Sequence, residues 1–191
     1  IIIMENITHF KFPIANNKKI AAKHLQINSN KDKHTLLIFS HGFSLYNSKK
    51  DNEILLSIAK VTSFNLIAYD YINFGKSTII TAGHINPWEQ IIDLSQIVTH
   101  FSKSYQNIIL IGFSYGALHS LFVSEIVSVS GLILVAPYLG TTLSSTINRR
   151  MSLFKRENEH ILDSSRYKTT KVLHRNNQNS IITIIFFSTK L

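Results

Sequence analysis

Asn107-Ile108-Ile109-Leu110-Ile111-Gly112-Phe113-Ser114-Tyr115-Gly116-Ala117 is the stretch whose reading decides the fold. Ile108–Ile111 is an unbroken apolar run of the length expected for a buried strand, and it enters the turn residues directly. Leu118, Leu121, Phe122 and Ile126 then recur at helical spacing. Between strand and helix stands G-x-S-x-G, the arrangement of a nucleophile elbow. Such a turn is too sharp for side chains on both flanks of the serine, so Gly112 and Gly116 leave room for the backbone. Ser114 is then expected in a strained conformation, its hydroxyl raised above the sheet edge as a candidate nucleophile.

Strands and helical segments alternate on both sides of this turn. Ile7–Phe12 and Ile20–Ile27 read as an antiparallel pair joined at Asn16-Asn17. Thr35–Ser40 is continuously apolar, the mark of a strand buried on both faces. Asp51 offers a cap to a helix running to about Val61. Phe64–Tyr69 is the next buried strand. Asn86-Pro87-Trp88-Glu89 has the form of a helix start, and Ile91, Leu94, Val98 and Phe101 continue it. Gly131–Val135 and Ser180–Phe187 give two further strands. Strands separated by helices in this way imply an α/β fold, with a mostly parallel sheet and helices on both faces. The four runs Thr35–Ser40, Leu66–Tyr69, Ile108–Ile111 and Leu132–Val135 are expected at its centre.

A chain of 191 residues with 45% hydrophobic content can bury one full core, so residues 1–191 are expected to form a single domain. No apolar run approaches the roughly 18 residues of a membrane span. Ile1-Ile2-Ile3 lacks the basic region and the length of a signal peptide. The chain has no Cys, which excludes a disulfide framework, a thiolate zinc site and a cysteine nucleophile, and fits a cytoplasmic location.

The net charge of +9 is uneven, because Arg149 to Arg175 carries eight basic residues against three acidic ones. A patch of that sign suits weak contact with an anionic membrane surface, or a solvated lysine- and arginine-rich face. No helix-turn-helix, RNA-binding or zinc-finger pattern accompanies it, so nucleic acid is not the expected partner. The surrounding segment 141–179 has no Gly and no Pro. It reads as one or two modest helices inserted between strands, a lid or cap over a cleft.

Three motifs, in order, make the chain resemble the α/β-hydrolases, most nearly their serine aminopeptidase and monoacylglycerol-lipase-like branch. Phe39-Ser40-His41-Gly42-Phe43 resembles the family's H-G-x oxyanion segment. Tyr69-Asp70-Tyr71-Ile72-Asn73-Phe74-Gly75-Lys76-Ser77 resembles its D-x-x-G-x-G-x-S loop, with Asn73 where a glycine is usual; Asn tolerates left-handed backbone angles. The third is the elbow, followed by Gly131–Pro137 with its terminal A-P. In this reading Ser114 attacks an acyl carbonyl, and the backbone N–H groups of Tyr115 and Phe43 receive the oxyanion. Gly42 lets that backbone approach, His41 orients the loop rather than acting as base, and Asp70 closes its loop structurally.

The resemblance also implies an order of serine, acid and histidine, the acid after a strand that follows the lid and the histidine after the last strand. Ser180–Phe187 looks like that penultimate strand, and Leu191 follows shortly. His119, His160, His174 and Asp163 are the remaining candidates, with His119 expected to point away from the serine. The chain is therefore read as a fragment of a longer hydrolase, or a decayed or frameshifted reading frame, incomplete at the C-terminus and with Met4 as a candidate start. The expected function is serine hydrolysis of small-molecule carboxylic esters, lipase-, esterase- or thioesterase-like, with no metal or organic cofactor. Serine rather than aspartate at the elbow argues against the epoxide hydrolase and dehalogenase branches. The alternative is a non-catalytic binding or scaffold protein on the same fold; a third reading is a membrane-surface module using the basic segment.

Overall fold

The computed structural model describes residues 5–27, 33–42, 49–81, 86–135, 169–174 and 181–186. Eight strands form one sheet in the order β1-β2-β4-β3-β5-β6-β8-β7. They are β1 (Glu5–Pro13), β2 (Lys19–Ile27), β3 (Thr35–Ser40), β4 (Asn65–Tyr69), β5 (Asn107–Phe113), β6 (Gly131–Val135), β7 (Thr169–His174) and β8 (Ile181–Phe186). The helices are α1 (Lys49–Thr62), α2 (Pro87–Phe101) and α3 (Tyr115–Ile126).

β4, β3, β5, β6 and β8 run parallel, so the four apolar runs expected at the centre are there and are parallel. β3 is buried along its whole length. Its alternate residues feed two cores. Leu36 and Ile38 join Ile67, Leu94, Leu110 and Leu118 under α2 and α3, whereas Leu37 and Phe39 join Leu55, Ala59 and Leu66 under α1. That two-sided demand is why the run shows no polar alternation.

The edges are antiparallel. β1 and β2 form a hairpin closed by Ile14 and Lys18, whose loop residues Asn16 and Asn17 have left-handed φ of 62° and 57°, angles that asparagine tolerates. α2 starts as its sequence indicates: the Asn86 side chain accepts from the N–H groups of Trp88 and Glu89, and Pro87 opens the first turn.

Two expectations need correction. α1 begins at Lys49, so Asp51 lies inside its first turn and is not the cap. Lysine is a good helix former, and Lys49 and Lys50 carry the helix back past the aspartate. Within the segment read as a helical lid, Thr169–His174 is instead an edge strand antiparallel to β8. Thr169, Thr170 and Val172 are β-branched, which favours pairing over an isolated helix. The rest of segment 141–179 lies outside the described residues.

Candidate active site

Ser114 occupies the turn between β5 and α3, with φ 53° and ψ −112°. Neither angle fits a regular element, and a non-glycine residue is held so only when its surroundings over-determine it. Those surroundings are visible. A Cβ on Gly116 would strike the backbone oxygens of Ser40 and His41, and one on Gly112 would strike Ala117 and Gly116. Both glycines are therefore required by close approach, and β3, β5 and α3 converge on the serine. The Ser114 N–H donates to the Val135 carbonyl at 2.9 Å. Its side chain makes no capping bond to α3, unlike most serines at a helix start. The residue is partly exposed, and Phe113 beside it is 40% exposed.

The His41-Gly42 backbone lies against it from β3. A Cβ on Gly42 would come 3.3 Å from the Ser114 Cβ. His41 is buried, its Nδ1 bonded to the Gly42 carbonyl, its ring 4.3 Å from that of Tyr71. The Tyr71 hydroxyl donates to the His41 carbonyl at 3.0 Å. Tyr115, the first residue of α3, is buried. Phe43 lies outside the described residues.

The loop after β4 is closed from within. The Asp70 carboxylate accepts the Lys76 N–H at 2.9 Å, and the Ser77 hydroxyl donates to the Asp70 carbonyl at 2.6 Å. Gly75 has φ +52°, and a Cβ there would strike the Asp70 carboxylate. Asn73 does adopt the left-handed conformation, φ 69°, and its side-chain oxygen accepts from the N–H groups of Ile80 and Thr81. The asparagine thus supplies the backbone angle of a glycine and two loop bonds besides.

Residues 37–179 match the family described as the alpha/beta hydrolase family. The chain belongs to that family. Among solved structures this chain is similar to DcsB in complex with a substrate analogue, at 21% identity and TM-score 0.62, covering 88% of this chain and 57% of that one. It is also similar to the hydrolase GrgF from Penicillium sp. sh18 (18% identity, TM-score 0.62, 92% and 61% covered). A third is the Pyrococcus furiosus esterase PF2001 (21%, TM-score 0.60, 80% and 56%). The chain spans a little over half the length of these structures. No curated protein matches it.

The chain's other histidines and carboxylates are placed as follows. His119 is fully buried in α3, its ring edge-on to Tyr115 at 4.3 Å and to Tyr71 at 5.0 Å. Neither ring nitrogen has a hydrogen-bond partner. Burial, with a smaller push from His41, lowers its pKa to about 3, so it is neutral at pH 7 and a poor base. His174 pairs in register with Ile181, the first residue of β8, which itself pairs with Gly131, the first residue of β6. Ser114 follows the opposite end of β5, where Phe113 pairs with Val135. Antiparallel β7 therefore sets His174 at the far edge of the sheet from the serine. His160 and Asp163 lie outside the described residues. No cluster of His, Asp and Glu able to hold a metal ion occurs among the described residues, and no helix among them is long and apolar enough to cross a membrane.

Sequence reasoning missed the aromatic layer beneath the serine. Tyr69, Tyr71, Tyr115 and His119 pack together there, with the Tyr69 hydroxyl 2.9 Å from Ser40 Oγ. One signal was available: Tyr69 and Tyr71 flank Asp70 at the end of a buried strand, where their hydroxyls must find partners.

Proposed function

We propose that this chain carries the nucleophile half of a serine hydrolase acting on carboxylic esters. The observation that carries the proposal is the backbone of Ser114, strained at φ 53° against Gly42, with a hydroxyl not used to cap α3. Ser114 Oγ would add to the ester carbonyl, its proton passing to the departing alcohol, and water would then release the acid from the acyl-enzyme. The Tyr115 N–H, at the positive end of α3, and the Phe43 N–H would receive the oxyanion. Membership of the alpha/beta hydrolase family and the likeness to a structure named as an esterase support this reading. The half-exposed Phe113 beside Gly42 suits an apolar acyl group.

The second reading, a non-catalytic protein on the same fold, is favoured by the lack of a base at Ser114 among the described residues. Asp70 is committed to its own loop, His119 is buried and neutral, and His174 stands at the other sheet edge. A serine hydroxyl with no base to take its proton is a weak nucleophile, so the acceleration it supplies is small. The expected result with p-nitrophenyl acetate is therefore slow turnover above the buffer rate, abolished in Ser114→Ala, together with slow labelling of Ser114 by a fluorophosphonate. A chain no faster than buffer, or one unaffected by Ser114→Ala, supports the scaffold reading instead.

A further inference from the structure

We infer that Tyr71 is a positioning residue, its hydroxyl fixing the His41–Gly42 peptide against Ser114. The role rests on the reading of Ser114 as nucleophile.

The His41 carbonyl oxygen is held from two sides. Gly116 at the start of α3 lies so close that no side chain fits between, and the Tyr71 hydroxyl donates to it at 3.0 Å. A peptide plane is rigid, so fixing the direction of the carbonyl fixes the direction of the following Gly42 N–H and the place of the Gly42 Cα. That backbone is the one lying against the Ser114 Cβ. Without the phenol, Gly116 still limits how near the oxygen can come but does not set its orientation.

Tyr71 is suited to the task. It is 2% exposed, and its ring is packed by His41 at 4.3 Å, His119 at 5.0 Å and Tyr69 at 5.3 Å, the last two edge-on. Such packing leaves the hydroxyl little freedom. Burial raises the phenol well above its ordinary pKa, so it stays a protonated donor at all working pH values. Tyr71 comes from the loop after β4, whose shape Asp70, Asn73 and Gly75 hold. The loop thereby acquires a purpose at the serine although neither its carboxylate nor its asparagine is placed there.

The test compares Tyr71→Phe with Asn86→Ala, which deletes the α2 cap and costs a similar amount of stability away from the serine. With p-nitrophenyl acetate, Tyr71→Phe should lower kcat about ten-fold at unchanged KM, whereas Asn86→Ala should change neither. In the same variants the carbonyl carbon resonance of His41 should move upfield in Tyr71→Phe, as a carbonyl losing a hydrogen bond does, and stay in place in Asn86→Ala. A kcat no lower than that of Asn86→Ala, or an unmoved resonance, overturns the inference. Wild-type turnover that survives Ser114→Ala would sink the nucleophile reading on which the role depends. That failure is recognisable, because Tyr71→Phe would then move the resonance and not the rate.

Discussion

At the scale of single residues, the strain at Ser114 has a measurable consequence. Residues in sparsely populated backbone regions cost on the order of 1–3 kcal/mol, and glycine relieves most of that. Ser114→Gly should therefore raise the unfolding midpoint, by about 1 kcal/mol once glycine's own chain entropy is subtracted. Ser114→Ala, which keeps a Cβ at φ 53°, should not. Both should remove any esterase activity. A Ser114→Gly protein no more stable than wild type in urea melts would show that the turn stores no strain.

Gly116 lies at the other extreme. Its missing Cβ would meet two backbone oxygens, and backbone cannot rotate away as a flexible side chain can. We expect Gly116→Ala to cost about 3 kcal/mol or more, in the range of severe overpacking, or to yield insoluble protein. Normal expression with a wild-type midpoint would mean that β3 and α3 are not in contact here.

Among elements, what the sequence made legible was local. β3, β4, β5 and β6 follow from uninterrupted apolar runs, and α2 from Asn86, Pro87 and Glu89 within four residues of one another. The elbow is local in part: Gly112 is demanded by Gly116 and Ala117 of its own turn, whereas Gly116 is demanded by the backbone of Ser40 and His41 at the end of β3. α1 starts at Lys49 and not after Asp51 because a helix can extend backward through good formers past a residue able to cap it. β7 escaped because pairing with β8, and not any periodicity in Thr169–His174, makes it a strand. The Tyr71–His41 bond joins residues 30 apart, and the Tyr71–His119 contact joins residues farther apart still. No spacing rule connects them, so the aromatic layer under the serine emerges only from the fold.

For the whole molecule, two buried ionisable groups set opposed responses to acid. His119 falls from the usual 6.5 to about 3, mainly by burial. Between those values the unfolded chain binds a proton that the folded one does not, so acid favours unfolding. Asp93, also buried, rises from 3.8 to about 6, mainly by burial and further through Glu89, against a partly compensating Lys18. There the folded chain binds the extra proton, so stability increases as pH falls from about 6 to 3.8. The histidine window is the wider, and each tenfold change of proton affinity is worth about 1.4 kcal/mol, so His119 wins. Stability should fall slightly from pH 6.5 to 6, stay nearly level to about 4 while the two protons offset each other, and fall below that once the contribution of Asp93 is spent. His119→Phe keeps a flat ring against Tyr71 and Tyr115 and deletes both unpartnered nitrogens. It should stabilise the protein by about 1–2 kcal/mol at pH 7 and turn the level stretch between pH 6 and 4.5 into a rise as pH falls, leaving Asp93 alone. Urea midpoints at pH 7, 6, 5.3 and 4.5 decide the matter: a His119→Phe profile parallel to that of the wild type over this range would show that the imidazole is not buried in solution.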